Sequence, residues 1–128
     1  MRLFLCLWAC LFLMTACNTN NTAKQDSPET TVRGIFSAIQ SENFELALQF
    51  CTPSTKESLQ DFATNLKMIP PDEKESLLAP FSMQISTVAC QDYQGITRCD
   101  LCCSDLGEIS IETVQKDDKW YVQMEFLY

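Results

Sequence analysis

Residues 81–126, FSMQISTVACQDYQGITRCDLCCSDLGEISIETVQKDDKWYVQMEF, decide the fold of this chain. At Phe81 the hydrophobic pattern changes period: Phe81, Met83 and Ile85 alternate with Ser82, Gln84 and Ser86. A period of two belongs to a strand with one buried face, whereas spacing of three and four belongs to a helix. Turn-forming residues then divide the stretch at Tyr93-Gln94-Gly95, at Asp105-Leu106-Gly107 and at Lys116-Asp117-Asp118-Lys119. The pattern predicts four antiparallel strands. The first begins at Phe81, the second covers residues 96–104, the third carries Ile109, Ile111 and Thr113, and the last shows Trp120, Val122, Met124 and Phe126 on one face.

Working back toward the N-terminus, the same residue types recur at helical spacing. Ser27-Pro28-Glu29 offers a capping hydroxyl, a proline at the first helical position and an acid at the positive end of the dipole. Val32, Ile35, Phe36 and Ile39 follow as one stripe. Asn43 caps a second stripe of Phe44, Leu46, Ala47 and Phe50, which must end before Pro53. Thr52-Pro53 repeats the cap signal ahead of Leu59, Phe62, Ala63 and Leu66, and a short fourth helix is expected over residues 71–78 between prolines. Helices followed by a run of strands make an α+β domain, with the N-terminal helices packed on one face of a bent four-stranded antiparallel sheet.

Residues 3–14, LFLCLWACLFLM, are an uninterrupted apolar run behind Arg2. Twelve residues are too few to span a bilayer as a helix, which takes about 20, and they read as a signal-peptide core. Met14-Thr15-Ala16-Cys17 then resembles a bacterial lipobox, with Ala16 before the cut and Cys17 receiving the lipid. The expected organisation is a signal peptide over residues 1–16, a polar tether over 17–26 and one domain over 27–128. Asn18 is not the aspartate that resembles an inner-membrane retention signal, and no acidic run follows Cys17. The resemblance therefore implies a lipid-anchored envelope protein at the periplasmic face of the outer membrane.

Charge and composition exclude several function classes. Seventeen Asp and Glu against nine Lys and Arg leave a formal charge of −8, which disfavours nucleic acid as a partner. The chain has no histidine, and so lacks the commonest general base and metal ligand.

The succession of a Ser-Pro-Glu helix start, the Glu42-Asn43-Phe44 start of a helix ending at Cys51-Thr52-Pro53, a helix break, a β meander and a closing Asp117-Asp118-Lys119-Trp120-Tyr121-Val122 strand resembles small bacterial lipoproteins of unknown function with a nuclear transport factor 2-like, or cystatin-like, domain. That resemblance covers about residues 27–127. It implies a sheet wrapped around a long helix, a conical cavity between them and homodimerisation through the sheet. It carries over no catalytic residue and no cofactor.

Eight cysteines are many for 128 residues. Cys6 and Cys10 lie in the signal and Cys17 at the lipid site, leaving Cys51, Cys90, Cys99, Cys102 and Cys103 as candidate disulfide partners or buried thiols. Cys99-Asp100-Leu101-Cys102 is a CxxC, but on a strand its two sulfurs face opposite sides and cannot share a metal, and no helix follows to make it a redox pair. A two-residue turn at Gln94-Gly95 would place Cys90 across from Cys99. A three-residue loop would place Ala89 there and gather Ile85, Ala89, Cys99, Leu101 and Cys103 on one face; the buried face selects this second register.

The resulting expectation is a non-catalytic domain that binds a small apolar ligand or a protein partner. The alternatives are an isomerase- or hydratase-like enzyme with Asp100 as a desolvated base, and a structural dimerising module with a filled interior.

Overall fold

The computed structural model describes residues 22–82, 84–102 and 109–126. The chain is α+β: four helices precede a four-stranded antiparallel sheet in the order β1-β2-β3-β4. The helices are α1 (Pro28–Gln40), α2 (Phe44–Gln49), α3 (Pro53–Leu66) and α4 (Pro71–Leu78). The strands are β1 (Thr87–Tyr93), β2 (Ile96–Cys102), β3 (Ile109–Lys116) and β4 (Lys119–Gln123).

The helix starts follow from local chemistry. Ser27 Oγ accepts the amide of Thr30 at 3.1 Å and Asn43 Oδ1 accepts that of Leu46 at 3.2 Å, each satisfying an amide that the first helical turn leaves open. Thr52 does not cap α3 in this way; its hydroxyl donates to Thr55 Oγ1 at 2.9 Å. Between α1 and α2 the chain reverses through Glu42 at φ 55, with Glu42 N bonded to Ile39 O and Asn43 N to Ala38 O. These two bonds form the Schellman pattern that closes a helix C-terminus.

The change of period at Phe81 is not yet a strand. Ala79–Ser82 is a turn of 3-10 helix, and β1 begins at Thr87. Phe81 still points inward, because a helical turn buries one residue in three as readily as a strand buries every second one. Its ring sits 5.3 Å from that of Phe36, 6.1 Å from Phe62 and 5.8 Å from Phe126, centroid to centroid. Phe62 and Phe126 complete the cluster at 5.5 Å. Tilted and offset pairs at these separations add to the area they bury. Around them Val32, Ile35, Ile39, Leu59, Leu101 and Val122 are fully or almost fully buried, so the interior between α1, α3 and the sheet is filled by side chains.

Both two-residue hairpin turns place two residues at positive φ: Gln94 (50) with Gly95 (86), and Asp117 (52) with Asp118 (62). That geometry matches the right-handed twist of the flanking strands. The β1–β2 register is therefore the two-residue one, with Cys90 opposite Cys99 and Asp100 opposite Ala89. The three-residue loop expected from the apolar pattern is corrected. That expectation counted Ile85 as a strand residue, which fixed the wrong parity: Val88 and Cys90 face inward while Ala89 is exposed.

β4 continues as an extended tail, Met124–Phe126, and its outer edge is closed by the helical layer. Trp120 N donates to Gln25 O at 3.1 Å and Val122 N to Phe50 O at 2.7 Å. Met124 N donates to Thr55 Oγ1 at 3.0 Å and Phe126 N to Ser58 Oγ at 2.7 Å. Gln25 is buried and its side chain returns a bond to Trp120 O at 2.7 Å. Ala23 N reaches Gln49 Oε1 at 3.2 Å. Ala23 and Gln25, in the stretch read as a tether by composition, thus hydrogen-bond to the domain.

Gly34 lies inside α1, where alanine is ordinarily better by about 1 kcal/mol. Here an added Cβ would stand 2.5 Å from Phe50 Cζ. Phe50 is itself only 3% exposed, so its ring has little room to retreat. Gly34→Ala is therefore expected to destabilise the domain by about 1–3 kcal/mol in urea unfolding; a stabilised variant would contradict this packing.

Candidate functional site

The residues singled out by sequence fall in three places. Cys90 and Cys99 are joined in a cross-strand disulfide between β1 and β2, with their Cα atoms 4.0 Å apart. Such closeness fits the narrow, non-hydrogen-bonded pair of an antiparallel ladder. Cys99 is fully buried and Cys90 half-buried, so the bond reaches from the core to the surface. Cys102 points to the opposite, exposed face of β2, as does Asp100, which accepts a hydrogen bond from Ser110 Oγ. Cys17 and Cys103 lie outside the described residues.

Cys51 is a buried thiol at the junction of α2 and α3. Its Sγ donates to Ala47 O at 3.3 Å and its backbone bridges in parallel to Val122. Burial pushes the thiol from 9.0 up to about 12, against the smaller opposing pull of Lys56. A thiol so held is a weak nucleophile and a poor metal ligand at neutral pH. Among the described residues, no group of three or more His, Cys, Asp or Glu is placed to hold a metal ion, and no helix is long and apolar enough to cross a membrane.

Two of the open depressions among the described residues bear on the site. A groove of about 790 Å³ runs between α3 and the β4 tail, with Glu57, Asp61, Glu112 and Glu125 around Met124 and Phe126. A cleft of about 650 Å³ lies where α1 begins, walled by Pro28, Glu29, Cys90, Gly95 and Trp120. In that cleft Asp92 accepts a hydrogen bond from Thr97 Oγ1 at 2.5 Å. Neither lining includes Asp100, the base considered for an enzyme, which stands on the exposed face of β2.

The outer face of the sheet carries a feature the sequence reading missed. Tyr93 pairs with Ile96, and Val114 pairs with Tyr121. Ile96 and Val114 follow one step beyond the Thr97–Thr113 pair, so the four side chains form a row across all four strands. Tyr93 is 65% exposed and the other three are half-buried. Beside the row, Arg98 sits 5.9 Å over the Tyr93 ring and 3.8 Å from Glu112. The row was hidden because its members stand on the polar parity of their strands, and only the register aligns them.

Comparison of the chain with family models, with curated proteins and with solved structures finds no match.

Two measurements test this site. Replacing both Cys90 and Cys99 by Ala opens a link with a sequence separation of nine and is expected to cost about 2–3 kcal/mol of stability in denaturant titrations. For Cys51, the folded thiol titrates above its unfolded value, so its contribution is complete below about pH 9 and declines as pH rises toward 12. The decline is about 1.4 kcal/mol per pH unit inside that window. Unfolding of the Cys51→Ala variant should lose this part of the slope between pH 9 and 11; an unchanged slope would place the thiol in water.

Proposed function

We propose that this chain is a lipid-anchored envelope protein, held at the periplasmic face of the outer membrane through Cys17, whose domain acts by non-catalytic binding of a protein partner. The succession of helices and meander suits a nuclear transport factor 2-like arrangement. The observation that carries the binding reading is the aromatic cluster. Where that arrangement would leave a conical cavity for a small apolar ligand, Phe36, Phe62, Phe81 and Phe126 stand ring to ring. Filling the interior moves recognition to the surface, which favours a protein over a small molecule. It equally leaves a cavity base without a cavity.

The row Tyr93-Ile96-Val114-Tyr121 supplies a surface of the kind protein interfaces use, an apolar and aromatic centre with a polar rim at Arg98 and Glu112. A second copy of the chain, docking through the sheet, is the partner to test first.

Two experiments separate the parts of this proposal. Cys17→Ser should abolish incorporation of labelled fatty acid and release the protein from membranes; unchanged labelling would end the anchor reading. Tyr93→Asp should weaken self-association in analytical ultracentrifugation by about tenfold while shifting stability by less than about 0.5 kcal/mol. A monomeric wild-type chain would reject the second copy, leaving the row for another protein.

A further inference from the structure

The disulfide joins a strand that the core barely holds. No residue of β1 is buried; Val88 and Cys90 are half-buried and the remaining five are exposed. β2 next to it keeps Thr97, Cys99 and Leu101 in the core, and β3 keeps Ile111 and Thr113. Among the described residues β1 pairs with β2 alone, and no strand lies beside its outer edge. Burial therefore anchors β2 strongly and β1 weakly. The bond that ties them has one buried end, Cys99 at 0% exposure, and one end, Cys90, lining the open cleft beside Pro28 and Trp120.

We propose that the Cys90–Cys99 bond is an exchangeable clamp on β1, opened by an external dithiol that enters at Cys90. A thiolate of the dithiol attacks Cys90 Sγ. The Cys90–Cys99 bond breaks, a mixed disulfide forms on Cys90, and Cys99 leaves with the bonding pair and takes up a proton. The second thiol of the reductant, losing its proton, attacks the reductant's own sulfur in the mixed disulfide and expels Cys90. In sum, two electrons and two protons pass from the dithiol, which ends as a disulfide, to the cystine. The core tolerates the product, since a protonated Cys99 remains a small apolar side chain in its place. What is lost is the covalent tie on β1, which then holds by its ladder to β2 alone and uncovers the edge of β2 more readily. The clamp requires no lipid on Cys17 and no particular partner.

The test uses the oxidised full chain in detergent micelles. Limiting glutathione, followed by acid quench, alkylation and peptide mapping, should place the glutathione on Cys90 and the alkyl group on Cys99. Glutathione on Cys99, or divided evenly, overturns the point of entry. Hydrogen exchange before and after dithiothreitol should then show β1 amides accelerated about tenfold or more, with amides of α1 and Val122 nearly unchanged. Unchanged β1 amides, or acceleration throughout the domain, overturns the clamp.

Discussion

Alternate amides along one edge strand bind the two halves of this protein together. A sheet edge presents a row of donors that must find partners when covered. In β4 and its tail, four successive outward donors, Trp120, Val122, Met124 and Phe126, each find one in the helical half: Gln25 O, Phe50 O, Thr55 Oγ1 and Ser58 Oγ. A satisfied bond contributes about 0.5–1.5 kcal/mol net, but a buried donor left without a partner costs about 1–3 kcal/mol. The helices can therefore neither slide along the strand nor lift from it without orphaning several amides at once. That constraint seats α3 along the β4 tail and brings Phe126 against Phe62 and Phe81.

The opposite edge is handled by different chemistry. Among the described residues no helix is hydrogen-bonded along β1, and only Val88 and Cys90 of the strand are half-buried. Its tie is covalent, through Cys90 and Cys99. One side of the sheet is thus closed by hydrogen bonds to the helical half, and the other by the β1–β2 ladder with one covalent bond across it. The filled interior and the two unlike edges leave the outward face of the sheet as the surface on which the proposed partner would dock.

Much of the architecture could be read from residue order. Proline and cap positions at Ser27, Asn43 and Pro71 located the helix starts, because those residues act within one turn and need no tertiary context. The meander was legible for the same reason, through turn residues and period-two alternation. Register was not. Gln94 at positive φ is an unusual choice for the first turn position, so the sequence carried little signal for a two-residue turn, and counting Ile85 as strand reversed the parity of β1. The bonds from Thr55 and Ser58 to the β4 tail were also invisible, since they join residues 69 and 68 apart. Of the candidate site, the Cys90–Cys99 pair was one of two readings and was set aside with the two-residue register, and the Tyr93-Ile96-Val114-Tyr121 row exists only once four strands are aligned.

The dependence of the fold on the β4 edge is most directly tested by native-state hydrogen exchange of Trp120, Val122, Met124 and Phe126. These amides should be among the slowest in the domain and should open together with those of α1 and α3, because breaking any one interface requires separating both layers. Exchange of Val122 and Phe126 as fast as that of the Gln94-Gly95 turn would contradict the account, since it would mean the helices and the sheet are not held together along this strand.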